Sequence, residues 1–195
     1  MLDAMGAGDV FGQATRIVVR PTGHGKNYSV EVSDQAGSTL ATCDPEGVIR
    51  DAADTPLLSA PLRWEGRRDK PADAGVEIAD ADGQPLGSAR IANYGVGPRA
   101  KKATIEVADA QGTSVLRLEP RDKRGEELAL TAGDDELATI TVEQVKAGFL
   151  RKARVYTVDI AQPAPEPLRR LALATAIRYD VLLNAVVAAV ARDRD

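Results

Sequence analysis

The sequence predicts a mainly β fold, a closed antiparallel β-barrel of about twelve strands enclosing a central hydrophobic C-terminal α-helix. Two observations carry this expectation. A phrase of strand, Asp-x-x-Gly and strand recurs along the chain, and the closing run "LRRLALATAIRYDVLLNAVVAAVARDRD" is apolar on nearly every side. Antiparallel strands bury one face, while a helix greasy all round must be buried all round, so a barrel wrapped about the helix satisfies both.

The opening "MLDAMGAGDVFGQ" lacks a basic stretch followed by an apolar core and does not read as a secretory signal. Residues 1–14 are expected to be a flexible segment, with one domain over 15–195. The first strand candidate is Arg16 to Arg20. Three phrases then repeat: "YSVEVSDQAGSTLATC" from Tyr28, "VEIADADGQPLGSARI" from Val76 and "TIEVADAQGTSVLRLEP" from Thr104. Val30 and Val32, Val76 and Ile78, and Ile105 and Val107 hold the inward positions of a period-two strand, and Glu31, Glu77 and Glu106 the outward ones. At each break the Asp side chain can accept from a backbone amide two residues on, and the Gly takes positive φ. Each phrase is a hairpin. "LALTAGDDELATITVE" is a fourth, with "AGDDE" as its turn, and Gly47 to Arg50, Leu62 to Glu65 and Arg154 to Ile160 are further strand candidates. The proline-rich stretch Asp51 to Gly75 should hold one or two irregular edge strands, where the missing Pro donor is tolerated.

At the end the period changes. Pro163, Pro165 and Pro167 precede a helix expected over about 167–192, with Glu166 at the positive end of its dipole. Arg178 and Asp180 at its middle would each cost about 2.5 to 3.5 kcal/mol near a bilayer centre. A protein core is therefore the better environment than a membrane. Inside a barrel both charges need partners on the wall or at a seam, because an unpaired buried charge is costly.

Composition limits the functional classes. The chain has 195 residues, 44% of them hydrophobic and only 4% aromatic, so the core is assembled from many aliphatic side chains. Twenty-five Lys plus Arg against 29 Asp plus Glu give a net charge of -4, which argues against general nucleic-acid binding. Cys43 is the sole cysteine, so no intrachain disulfide can form, which suits a cytoplasmic protein; it reads as a small buried hydrophobe. His24, the sole histidine, has no second ligand at metal spacing, and "GHGK" lacks Walker spacing. "DADG" at Asp80 lacks the further oxygen donors of an EF-hand loop. Asp134 and Asp135 sit on a turn with no accompanying base. No catalytic, metal or cofactor constellation emerges, and an enzyme is not expected.

The pieces "IVVRP", "YSVEVSDQAG", "VEIADADGQPLG", "TIEVADAQG", "RVYTVDI" and "LRRLALATAIRYDVLL", taken in order, cover most of the chain from about Thr15. This arrangement resembles the tubby C-terminal-like superfamily, within it the LURP-one-related and phospholipid scramblase-like proteins. The resemblance implies a twelve-stranded barrel threaded by a C-terminal helix, and it points to phosphoinositide headgroups held by basic side chains. Scramblase-like calcium chemistry is not carried over. Lys152 and Arg154 stand where that segment would need carboxylates, and no cysteine cluster for palmitoylation exists.

Basic clusters fall in connections or at strand ends: Arg67, Arg68 and Lys70; Arg99, Lys101 and Lys102; Arg121, Lys123 and Arg124; and Lys146, Arg151, Lys152 and Arg154. The first three are the candidate patch for an anionic membrane lipid headgroup, with Trp64 beside Arg67 as an interfacial anchor or simply a strand residue. The expected function is a non-enzymatic, cytoplasmic barrel acting peripherally at a membrane surface. The alternative is a soluble protein-interaction or structural module that meets a protein partner.

Overall fold

The computed structural model describes residues 13–22, 28–64, 74–94, 103–146, 152–161 and 164–192. Thirteen strands form one sheet: β1 (Arg16–Thr22), β2 (Ser29–Ser33), β3 (Thr39–Cys43), β4 (Val48–Asp51), β5 (Pro56–Ser59), β6 (Leu62–Trp64), β7 (Ala74–Asp80), β8 (Pro85–Tyr94), β9 (Ala103–Asp109), β10 (Ser114–Pro120), β11 (Glu127–Ala132), β12 (Asp135–Lys146) and β13 (Lys152–Ile160). A single long helix, α1 (Glu166–Arg192), follows. Neighbouring strands pair antiparallel in the order β5-β4-β3-β2-β1-β13-β12-β11-β10-β9-β8-β7-β6, and a further pairing of β5 with β7 closes the ring. Leu58 faces Asp80 and Leu62 faces Val76 in one register, so β5 and β6 are a single strand interrupted at Ala60-Pro61. The barrel is thus twelve-stranded. The proline-rich stretch forms its seam, which corrects the expectation of edge strands: Pro61 falls in the interruption, just after Ala60 N extends the β4–β5 ladder by donating to Gly47 O at 2.7 Å.

The expected inward positions of the three phrases are buried, with Glu31 half-buried on the other face. Val30, Val32, Val76, Ile78, Ile105 and Val107 are buried, whereas Glu77 and Glu106 are exposed. The turn chemistry is richer than the sequence reading allowed. Asp80 Oδ1 accepts from Asp82 N at 3.0 Å and also from Gln84 N at 2.8 Å, and Asp109 Oδ1 repeats this with Gln111 and Thr113. The carboxylate therefore ties both arms of the loop, while the fourth residue takes positive φ, as at Gly83 and Gly112. Asp44-Pro-Glu-Gly47 follows the same plan, and so does Asp51-Ala-Ala-Asp54, with Asp54 at φ 65 in place of glycine. In the fourth hairpin the strands run on to Ala132 and Asp135, which shrinks the expected "AGDDE" turn to Gly133-Asp134.

Antiparallel connections alternate between the two ends of a barrel. Every tight turn between β2 and β3, β4 and β5, β7 and β8, β9 and β10, and β11 and β12 therefore lies at one end, the turn end. The other end, the mouth, carries the Asp44–Gly47 turn between β3 and β4 and receives the ends of the strands joined by residues 23–27, 65–73, 95–102, 121–126 and 147–151. Helix α1 leaves β13 at the turn end, with Arg169 N donating to Pro165 O at 2.9 Å and Glu166 paired to Arg170 at 2.7 Å, and runs toward the mouth. Residues 171–180 are buried without interruption, which places the helix on the barrel axis as expected. Leu171, Leu173, Ile177, Leu182 and Leu183 are at most 3% exposed, and each such side chain contributes about 1.5–3 kcal/mol of burial. Among the described residues no helix is long and apolar enough to cross a membrane.

Candidate functional site

The polar residues of α1 divide the barrel interior into two environments. Asp180 finds four donors. Tyr156 OH (2.5 Å) and Arg154 Nη1 (3.1 Å) reach its Oδ1, and Asn184 Nδ2 (2.9 Å) and Tyr28 OH (3.3 Å) reach its Oδ2. A carboxylate offers about four lone-pair directions, so this one is saturated. Burial pushes the phenols of Tyr28 and Tyr156 far above their ordinary range, and the Asp180 charge pushes them further, so both remain donors at any working pH. Burial alone would lower the pKa of Arg154, but Tyr156 and Asp180 raise it overall, and the guanidinium stays charged. The expected wall partner of Asp180 is thus present three times over, in Tyr28, Tyr156 and Arg154.

Arg178 is different. It is 2% exposed, and its Nη1 donates to the Cys43 sulfur at 3.7 Å instead of to a carboxylate. Burial raises the Cys43 thiol although Arg178 opposes this, so the sulfur is a neutral, weak acceptor. Arg178 Nε and Thr175 Oγ1, one turn earlier on the helix, are buried without a partner. Cys43 itself is fully buried, as its sequence position suggested.

Toward the mouth the interior opens into a cavity of about 440 Å³. Lys123, Arg124, Gly125 and Glu126 of the β10–β11 connection form one wall, Val142 and Gln144 of β12 with Arg154 of β13 a second, and Tyr179 and Leu183 of α1 the floor. The Tyr179 ring stands edge-on to Tyr156, with centroids 5.8 Å apart, and its hydroxyl is buried with no partner. Burial raises this phenol too, so it is a donor. The loop that presents Lys123 and Arg124 repeats the Asp-x-x-Gly plan: Asp122 Oδ1 accepts from Glu126 N at 2.8 Å and Glu127 N at 3.2 Å, Oδ2 accepts from Arg124 N at 3.1 Å, and Gly125 takes φ 69. Desolvation pushes the Asp122 carboxyl up, but the amides of Glu127, Arg124, Glu126 and Gly125 together prevail and hold it below its ordinary value. Three cations around one concavity, of which Arg124 also pairs with Glu126 at 4.0 Å and Arg154 with Asp180 at 3.1 Å, make an arrangement suited to an anion. The exposed large hydrophobics among the described residues, Val145 (39%) and Val187 (43%), also belong to the mouth end.

Of the sequence-predicted site residues, Lys123 and Arg124 line this cavity, and Arg154 joins them from the fourth basic cluster. Arg121 does not line it: its guanidinium is taken by Glu127 at 3.3 Å and by Glu136. Arg67, Arg68, Lys70, Arg99, Lys101 and Lys102, with His24, lie outside the described residues, although the strands flanking them end at the mouth. Trp64 is a strand residue of β6, paired with Ala74. Sequence reasoning missed Tyr179 and Gln144, which looked like ordinary helix and strand residues. Among the described residues no three His, Cys, Asp or Glu side chains gather to hold a metal ion. No family model, curated protein or solved structure matches the chain.

Proposed function

We propose that this chain is a non-enzymatic barrel of the tubby C-terminal-like kind that binds an anionic phospholipid headgroup at its mouth, as a cytoplasmic protein peripheral to a membrane surface. The observation that carries the reading is the mouth cavity, which Lys123, Arg124 and Arg154 line together. Guanidinium and ammonium groups pair with phosphate oxygens. Val145 and Val187 at the same end offer apolar contact beside the headgroup. The resemblance in strand order and terminal helix supports the same ligand class. The net charge of -4 gives no long-range attraction to anionic membranes, so binding depends on this local cluster.

Co-sedimentation with phosphatidylserine-containing vesicles, compared with pure phosphatidylcholine vesicles, tests the reading. Salt-sensitive binding to the anionic vesicles is expected. Replacing Lys123 and Arg124 together by Gln should weaken it about thirtyfold, at about 1 kcal/mol for each basic residue near the surface. Equal binding to both vesicle types, or none, removes the lipid reading and leaves the protein-partner alternative.

A further inference from the structure

Arg154 belongs to two places at once. Its Nη1 holds Asp180 Oδ1 at 3.1 Å, and the same side chain lines the mouth cavity beside Lys123 and Arg124. Asp180 lies on the interior side of this pair, its side chain 12% exposed against 24% for Arg154. The carboxylate cancels part of the guanidinium's charge from behind. An anion entering from the mouth draws on the same charge and meets the repulsion of the carboxylate.

We infer that Asp180 sets the affinity of the mouth for anions: the carboxylate on the central helix and an anion in the cavity share the Arg154 guanidinium, and removing the first charge tightens the second interaction. The inference rests on the mouth being an anion site and adds the central helix to that site. Asp180 is a positioning residue that acts through Arg154. Tyr156, Tyr28 and Asn184 hold the carboxylate from its other sides, which keeps it in place. Because linkage is reciprocal, an anion at the mouth loosens the hold of Asp180 on Arg154 by the same free energy.

A double-mutant cycle on the full chain tests this. The probes are inorganic pyrophosphate in calorimetry and phosphatidylserine-containing vesicles in co-sedimentation; binding of pyrophosphate without vesicle binding would make the ligand a free phosphate compound instead of a lipid. Asp180→Asn should tighten binding about fivefold, and the gain should vanish in an Arg154→Gln background. Simple structural damage would weaken binding in both backgrounds. Unchanged affinity in Asp180→Asn, or a gain that persists without Arg154, overturns the coupling while leaving the anion site standing. Failure of the wild-type protein to bind either probe removes the anion site itself, and the coupling with it. Should Asp180→Asn fail to fold, Asn184→Ala decides, because Asn184 is exposed and its loss leaves the carboxylate more dependent on Arg154. Weaker binding, by about twofold, supports the coupling; unchanged or tighter binding overturns it.

Discussion

Replacing Leu182 by alanine tests the placement on which everything else rests. Leu182 is fully buried, on a helix whose residues 171–180 are buried in succession inside the barrel. The change removes three carbon atoms. At about 0.8 kcal/mol per methylene-sized group the transfer loss is about 2.4 kcal/mol. Twelve hydrogen-bonded strands in a closed ring cannot collapse onto the space left behind, so a cavity contribution adds to this and brings the total to about 3–4 kcal/mol. Val187, one turn and a residue further on, is 43% exposed, and Val187→Ala should cost about 0.5 kcal/mol or less. Urea denaturation followed by circular dichroism measures both. For a chain of this size 1 kcal/mol moves the melting temperature by about 2–4 °C, so the two variants should separate by roughly 10 °C. A difference below about 1 kcal/mol between them would refute the axial burial of the helix, because it would mean that both positions see the same environment.

Other expectations follow from single contacts. Tyr179→Phe removes a buried hydroxyl that has no partner, so stability in urea denaturation should stay level or rise by up to about 1 kcal/mol; a clear loss of stability would contradict the missing partner. Thr175→Val, nearly isosteric, should stabilise the fold by up to about 1 kcal/mol in thermal denaturation, since the orphaned hydroxyl only costs desolvation. Gly47→Ala should destabilise by about 2 kcal/mol or more, because φ is 94° and a Cβ would lie 2.5 Å from the Ala60 carbonyl oxygen at the seam; calorimetric melting checks this. Asp122 has a depressed pKa, so its support of the Lys123–Arg124 loop is present above the ordinary carboxylate pKa and lost as pH falls through the folded value. Amide exchange at Glu126 and Glu127 should accelerate over that acid range in the wild type and already be fast near neutrality in Asp122→Asn.

The barrel was legible because its determinants are local and periodic. Val30 and Val32 alternate with Glu31 whatever their partners are, and Asp109 to Gly112 makes a turn from its own atoms. The burial of α1 was legible because no single face of it is polar enough to meet water. The seam was not. Pro56 and Pro61 argue for an edge in sequence, and only the pairing of Leu58 with Asp80, across strands that follow one another in the chain, shows that this edge is covered. The site was half legible for the same reason. Lys123 and Arg124 stand out as charges in a connection, and Arg154 as a charge at a strand start. Which of them converge depends on ring closure, and the neutralisation of Arg121 depends on Glu136, which lies on another hairpin. Tyr179 gave no signal: its phenol belongs to a site only because the axis of the helix carries it to the mouth.

Charge is distributed unevenly over the connections of the barrel. The turns at one end carry Asp34, Asp51, Asp54, Asp80, Asp82, Asp109, Asp134 and Asp135 and neither Lys nor Arg. Four of these carboxylates are spent on backbone amides within their own loops, so local turn geometry alone would account for them. Asp44 and Asp122 are spent in the same way at the mouth, so turn geometry places carboxylates at both ends. The helix dipole does not set the cations there: α1 meets the cavity at Tyr179 and Leu183 but ends at Arg192, which leaves its last carbonyls more than two turns beyond the site, and the dipole acts within the last turn. What distinguishes the mouth is that the loop fixed by Asp122 carries Lys123 and Arg124 to the side of the ring where Arg154 stands near the start of β13, and these are the cations available to an incoming phosphate.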